Sequence, residues 1–254
     1  MPDEKFLSGR HAVVTGASRG IGAACARALA AHGARVTLMG RDQTALSKVS
    51  SGIADSKAVI CDVTDAAAVT RAFEAAHSRA PISILVNNAG IAESAPFLKT
   101  DDAMLERMFS TNVMSAFRCT RASLPDMLAG GWGRVVNIAS IAGLRGARYI
   151  SAYAASKHAL VGMTRALATE TAGKNITVNA VCPGYVDTEM TARTVANIVS
   201  RTKLSEKDAQ AEIARGNAGG RLIAPEEVAG TIVFLCGADA DSINGQAIAI
   251  GDIG

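Results

Sequence analysis

Proline and charge are both in short supply in this sequence: six prolines, and 19% of residues charged. A disordered chain carries far more of both. The five cysteines (Cys25, Cys61, Cys119, Cys182 and Cys236) are few, odd in number and scattered, with no CxxC pair. That excludes a disulfide scaffold and reads as small buried hydrophobes in a reducing compartment. His11, His32, His77 and His158 share no metal-ligand spacing with a cysteine or a carboxylate, so no protein-bound metal is expected. Runs of like charge are also missing. With 26 basic and 23 acidic residues the net charge is +3, which leaves no electrostatic footprint for nucleic acid or a membrane surface. No apolar run reaches the roughly 18 residues of a membrane span. The start, Met1-Pro2-Asp3-Glu4-Lys5, has acids where a secretory signal has basic charge. The expectation is a soluble cytoplasmic protein whose partner is a small molecule.

What the sequence does have is alternation. Short β-branched runs (His11 to Thr15, Arg35 to Met39, Lys57 to Cys61, Ile82 to Val86, Arg134 to Ala139, Ile176 to Val181, Gln246 to Ile250) alternate with Ala-rich amphipathic stretches. The helical stretches run from about Gly20 to His32, Gln43 to Ser51, Asp65 to Ser78, Asp101 to Leu128, Ser151 to Thr171 and Pro225 to Cys236. Repeated strand, helix, strand implies parallel pairing with right-handed crossovers, and strands apolar on both faces imply helices on both sides. The expected fold is α/β, a doubly wound seven-stranded parallel sheet of the Rossmann type. No linker or composition shift divides it, so residues 1–254 read as a single domain. One stretch departs from the pattern: 185–222 is long, polar and without a strand of its own, and reads as a lid at about 186–222.

The first strand runs into Thr15-Gly16-Ala17-Ser18-Arg19-Gly20-Ile21-Gly22 and then a helix. Glycines at such a junction let the backbone turn tightly and approach a pyrophosphate held by the helix N-terminus. An acid about 20 residues further on binds the ribose 2′-hydroxyl of NAD, whereas a nearby Arg suits the 2′-phosphate of NADP. Gly40 stands at that place, followed by Arg41, and Arg19 lies inside the turn. Two guanidiniums could therefore flank one phosphate, predicting NADP(H) preference with NAD(H) as the alternative. Asp42 complicates this, because a small shift of the turn would bring it to the ribose.

The spacing TGxxxGxG, with Asp62, Asn87-Asn88-Ala89-Gly90, Asn112, Ser140, Tyr153-Ala154-Ala155-Ser156-Lys157 and Pro183-Gly184, resembles the short-chain dehydrogenase/reductase family over nearly the whole chain. The resemblance implies a dehydrogenase or ketoreductase in which Ser140, Tyr153, Lys157 and Asn112 are catalytic. It assigns the cofactor to Gly16, Ser18, Arg19, Gly20, Ile21, Gly22, Gly40, Arg41, Asp62, Val63, Asn88, Ala89, Gly90, Pro183, Gly184, Val186 and Thr188, with Tyr153 and Lys157 also touching it. Asp62 is expected at the adenine amino group, or else as a cap for the helix beginning near Asp65. Asn88 and Gly90 are expected at the adenosine side and as braces of the sheet. Asn112 is expected to hold a water that links Lys157 to solvent. Homotetramers are common in the family.

Independently of that resemblance, Tyr153 and Lys157 are four apart in a helical segment and share a face. A phenol of pKa about 10 is a poor base, and each unit of depression needs about 1.4 kcal/mol, which a neighbouring ammonium supplies. Lys157 is therefore expected to lower the Tyr153 pKa. Ser140, at the carboxyl edge of the sheet, is placed to donate to a developing alkoxide. The bland reading of each is packing, surface charge or a turn cap. Ser156 and His158 fall on other helix faces and read as structural.

The substrate is expected between Ile141–Tyr149, the turn after Pro183, and the lid, which offers Met190 and Ile198 as apolar contacts. Arg145, Arg148 and the lid cations Arg193, Arg201, Lys203, Arg215 and Arg221 could meet phosphates of a CoA or acyl-carrier thioester, or else be solvated charges. A 3-oxoacyl reductase or 3-hydroxyacyl-CoA dehydrogenase would fit. Two other readings stand beside it: a non-catalytic cofactor-binding sensor or scaffold, and an epimerase or dehydratase, for whose substrate domain the chain has no room. The ending Gly251-Asp252-Ile253-Gly254 departs from the family's Asp-Gly-Gly tail.

Overall fold

The computed structural model describes residues 5–251; the acidic start and the Asp252–Gly254 tail lie outside the described residues. Seven strands, β1 (His11–Thr15), β2 (Arg35–Gly40), β3 (Ser56–Ile60), β4 (Ile84–Asn87), β5 (Gly133–Ile138), β6 (Ile176–Pro183) and β7 (Ala247–Ile250), form one sheet. All pairs are parallel and the order is β3-β2-β1-β4-β5-β6-β7. The chain reverses its winding between β1 and β4, so the helices after those strands diverge and leave a crevice at the carboxyl edge.

Among the described residues nine α-helices follow in chain order: α1 (Gly20–Ala31), α2 (Gln43–Ser50), α3 (Ala66–His77), α4 (Asp102–Phe109), α5 (Ser115–Gly130), α6 (Ser151–Glu170), α7 (Glu189–Arg201), α8 (Glu206–Ala214) and α9 (Pro225–Cys236). Strand alternation sorts them. Val14, Val86 and Val136 face one way, onto Leu29 of α1 and Val228 and Ile232 of α9. Val13, Leu85 and Val135 face the other way, onto Phe73 of α3 and Cys119 and Met127 of α5. Each fully buried side chain of this kind contributes about 1.5–3 kcal/mol. The strands buried at every position, β1, β4, β5 and β6, are neighbours in the sheet and form the centre of this two-sided core.

Boundaries moved by a few residues. Ile82 and Ser83 precede β4 rather than belong to it, because Ser83 turns its hydroxyl and amide back onto the backbone of His11. The stretch read as a single helix from Asp101 to Leu128 contains a π-turn over Ser110–Met114 between α4 and α5. The stretch 185–222, read as a long polar lid without a strand of its own, holds α7 and α8, which close on a small core of Val195, Ala209 and Ile213. Val186 and Ile223 form a one-residue parallel bridge at its base.

Candidate active site

The glycine turn is built so that only glycine fits. Gly16 and Gly20 have φ of 63° and 52°, in the left-handed region. A Cβ on Gly22 would lie 2.4 Å from the Gly16 carbonyl oxygen. Asn88 braces this turn from β4, its Nδ2 donating to the carbonyls of Thr15 (3.0 Å) and Gly16 (3.1 Å). Thr15 Oγ1 in turn accepts from the amides of Asn88 and Ala89. The bracing part expected of Asn88 is thereby present, and it reaches the turn itself. Helix α1 starts without a side-chain cap, whereas α2, α3 and α4 begin on Asp42, Asp65 and Asp101, each accepting a first-turn amide. The uncapped amides of α1 fit a pyrophosphate, because they are the donors an anion would satisfy.

Ser140 lies two residues beyond β5 and starts a short 3₁₀ turn, its Oγ accepting from the Ala142 amide at 3.1 Å. Tyr153 and Lys157 project from the first turns of α6. Gly143 lets that turn pack against the helix, since a Cβ there would come within 2.8 Å of the Lys157 carbonyl oxygen. Burial pushes the Tyr153 phenol above its ordinary value, and a hydrogen bond with Ser140 pulls it back in part. Burial likewise takes Lys157 down to about 8. Its Nζ donates to the Ile138 carbonyl at 2.8 Å and lies 5.7 Å from the Tyr153 ring centroid. In the protein alone the expected depression of the phenol by Lys157 is not seen: burial is the largest influence on it and favours the protonated form.

Asn112 is buried in the π-turn. Its Oδ1 accepts from the Ile91 amide, and its Nδ2 donates to the Ile91 carbonyl (3.0 Å) and to Ser156 Oγ (2.9 Å). Both amide protons are used, so any water held here would meet the remaining Oδ1 lone pair or the backbone loosened by the π-turn. A Cβ on Gly90 would lie 3.2 Å from Asn112 Oδ1 and 3.6 Å from Lys157 Nζ, which places Asn112, Gly90 and Lys157 side by side. Ser156, which also donates to the Tyr153 carbonyl at 2.7 Å, ties Asn112 to α6.

The adenosine end differs from expectation. Arg19 is engaged by Glu189 of the lid and lies 3.8 Å from Asp42, while Arg41 lies 3.9 Å from Asp62. In the protein alone the two guanidiniums thus face separate carboxylates instead of converging. Asp42 caps α2, accepting from the Ala45 amide at 3.0 Å. Asp62 does not cap α3. It accepts from the amide and hydroxyl of Thr64, which with Arg41 hold its carboxyl below the usual range, and Asp65 supplies the cap. Gly40 is buried with ordinary contact to Leu46, and Val63 is buried beside Asp62. Ser18 and Ile21 are half-buried in the turn.

At the other side of the crevice, β6 ends on Pro183, and Gly184 accommodates Asn217, whose Oδ1 would sit 2.3 Å from a Cβ. Asn217 escaped the sequence reading. It is buried, accepts from the Tyr185 amide and donates to the carbonyls of Tyr185 and Arg221, all at 2.8 Å. No local signal marks it, since its partners are set by the return of the chain. The Val186 carbonyl accepts from Thr191 Oγ1, and the Thr188 methyl packs on Gly20. Ile198 belongs to the lid core, which removes it from the apolar substrate contacts; Met190 is exposed. Of the lid cations, Arg193, Arg215 and Arg221 pair with Glu189, Glu212 and Glu227. Tyr149, at the end of the Ile141–Tyr149 segment, has φ of 68°, and its carbonyl accepts from Ala95. That backbone strain, about 1–3 kcal/mol, had no signature in the sequence.

All five cysteines are buried free thiols. Among the described residues no His, Cys, Asp and Glu side chains group to hold a metal, and no helix is long and apolar enough to cross a membrane.

Comparison with known proteins agrees with this geometry. Residues 10–198 match the family model for short chain dehydrogenases. Galactitol 2-dehydrogenase (L-tagatose-forming) of Cereibacter sphaeroides is 40% identical over 248 residues, 96% of this chain and 94% of the relative. A 3-oxoacyl-acyl-carrier-protein reductase of Mycobacterium tuberculosis is 35% identical over 246 residues, 96% of this chain and 92% of the relative. Among solved structures, a variant of actinorhodin polyketide ketoreductase with NADPH superposes with a TM-score of 0.91 at 35% identity, covering 95% of this chain and 96% of that one.

Proposed function

This chain belongs to the short chain dehydrogenase family and is an oxidoreductase of the CH–OH/carbonyl type, and from that premise we propose that Tyr153 is its general acid and base in interconverting a ketone and a secondary alcohol with NADP(H). The observation that carries the reading is the convergence of a hydrogen-bonded Ser140–Tyr153 pair and buried Lys157 beside a turn that only glycine can make. The nicotinamide dinucleotide, held along the α1 N-terminus, Asn88 to Gly90 and Pro183 to Thr188, supplies or takes the hydride.

The residues do the rest. Ser140 donates to the carbonyl oxygen and orients it. Tyr153, held protonated by burial, gives that oxygen its proton during reduction and recovers it through Lys157 and the region of Asn112. Oxidation of an alcohol needs the phenolate, which the charged form of Lys157 favours.

For the substrate we favour a 3-oxoacyl thioester or a similar carbonyl compound. The acyl-carrier-protein reductase among the relatives supports it, as does exposed Arg148 at the mouth. One domain carries cofactor and substrate in this reading. The free thiols fit the cytoplasm. Exposed Leu105, Met114 and Phe117 on and between α4 and α5 fit a homo-oligomer, for which the proposal is a tetramer.

The test is NADPH consumption with simple ketones, β-ketoesters and 3-oxoacyl thioesters, wild type beside Tyr153→Phe. Absorbance should fall for wild type alone and fastest with thioesters. Equal kcat/KM for thioesters and ketones of the same length removes the thioester assignment, and an active Tyr153→Phe variant removes the mechanism. Light scattering of the eluted protein tests the tetramer.

A further inference from the structure

The Arg19 side chain is shared between two parts of the molecule. It rises from the glycine turn, yet its partner is Glu189, the first residue of α7 in the lid, with Asp42 3.8 Å away. The contact between turn and lid is also steric, because the Thr188 methyl lies 3.1 Å from where a Gly20 Cβ would be. Arg19 and Glu189 are each about half exposed, at 49% and 57%. Ion pairs at that exposure are weak and exchangeable. Glu189 has a second cation in reserve, Arg193, one helical turn on at 3.7 Å. Loss of Arg19 therefore leaves Glu189 paired.

We propose that Glu189 is a specificity-determining residue that holds Arg19 until the 2′-phosphate of NADP takes it, so that the phosphorylated cofactor, and not NAD, releases the first turn of the lid. The inference rests on the cofactor reading above. A phosphate monoester carries a charge near −1.5 to −2 and three acceptor oxygens, so it outcompetes a single carboxylate for a guanidinium fork. The uncharged 2′-hydroxyl of NAD offers nothing comparable. Glu189 thus acts as an internal competitor that lowers NADP affinity while it stands, and the substrate-covering helix is loosened only when the phosphorylated cofactor is in place.

The test measures binding and backbone exchange, independently of turnover. Dissociation constants for NADP⁺ and NAD⁺ are compared by calorimetry in wild type, Glu189→Gln and Arg19→Ala, with hydrogen exchange followed over Glu189–Arg201. In wild type, NADP⁺ should speed exchange in the first turn of α7 relative to the NAD⁺ complex. Glu189→Gln should tighten NADP⁺ about three- to tenfold, leave NAD⁺ unchanged, and abolish the difference in exchange. Arg19→Ala should loosen the same turn in the cofactor-free protein and erase most of the discrimination. Equal shifts for both dinucleotides in Glu189→Gln, or identical α7 exchange with both bound to wild type, overturn the proposal and leave the cofactor reading standing. Binding of neither dinucleotide to wild type overturns both.

Discussion

The two ends of the crevice are held by different forces. At the end proposed for proton transfer, Lys157 and Asn112 are buried, Tyr153 is largely so, and they are fixed without any carboxylate: Lys157 donates to the Ile138 carbonyl, and Asn112 accepts from the Ile91 amide and donates to Ser156. At the adenosine end, Arg19, Arg41, Asp42 and Glu189 are about half exposed or more, and ion pairs arrange them. Desolvation governs the first end and Coulomb attraction through water the second. One is rigid and costly to alter, whereas the other is screened by salt and readily exchanged.

Four experiments bear on that contrast. The largest effect belongs to Tyr153→Phe, which removes the proposed proton donor: kcat should fall by roughly 10²–10⁴ while NADP⁺ binding holds, as calorimetry would show. A weakened Kd would mean that the two ends are coupled. Next, Gly22→Ala forces a Cβ into the Gly16 carbonyl and Asn88. It should lose about 2–4 kcal/mol in urea unfolding, together with dinucleotide binding.

The third experiment reverses the sign. Lys157 titrates at about 8 when folded, below its ordinary 10.5, so between those values the unfolded chain binds more protons and stability rises with pH. Below pH 8 the buried ammonium is a net cost. Lys157→Met should therefore raise stability at pH 7 by about 1–2 kcal/mol, after allowing for the lost bond to Ile138, while abolishing turnover. The gain should vanish above about pH 10, and a destabilised variant at pH 7 would refute control by desolvation. The smallest effect is at the exposed end: Arg41→Ala should cut NADP⁺ preference over NAD⁺ about three- to tenfold, and 0.5 M salt should erase most of the difference between variant and wild type. Insensitivity to salt would move that end into the same class as the first.

The same contrast decides what could be read from residue order alone. Strands such as His11–Thr15 and the helix Pro225–Cys236 were legible to the residue, because a fully buried strand or a one-sided helix carries its period locally. The glycine turn and the Tyr153–Lys157 pair stood out through their short local spacing, whereas Ser140 was singled out by its place after a strand and by the family resemblance. The π-turn at Asn112 was not, since neither Gly nor Pro marks it. The bounds of helices α7 and α8 within the lid were not legible, because only a narrow stripe, Val195, Ala209 and Ile213, is buried. The partners of Arg19 were beyond reach, because Glu189 lies 170 residues away and meets it only once the sheet has formed.

Asn217 has a consequence of another kind. By gripping Tyr185 and Arg221 with one side chain, and with Val186 bridged to Ile223 beside it, it draws the incoming and outgoing strands of the lid into a closed neck. Everything beyond that neck is topologically a cassette. Helices α7 and α8 form a unit that meets the glycine turn through Arg19–Glu189 and Thr188–Gly20, so exchanging them for those of a relative would alter that seam while leaving the seven strands in place.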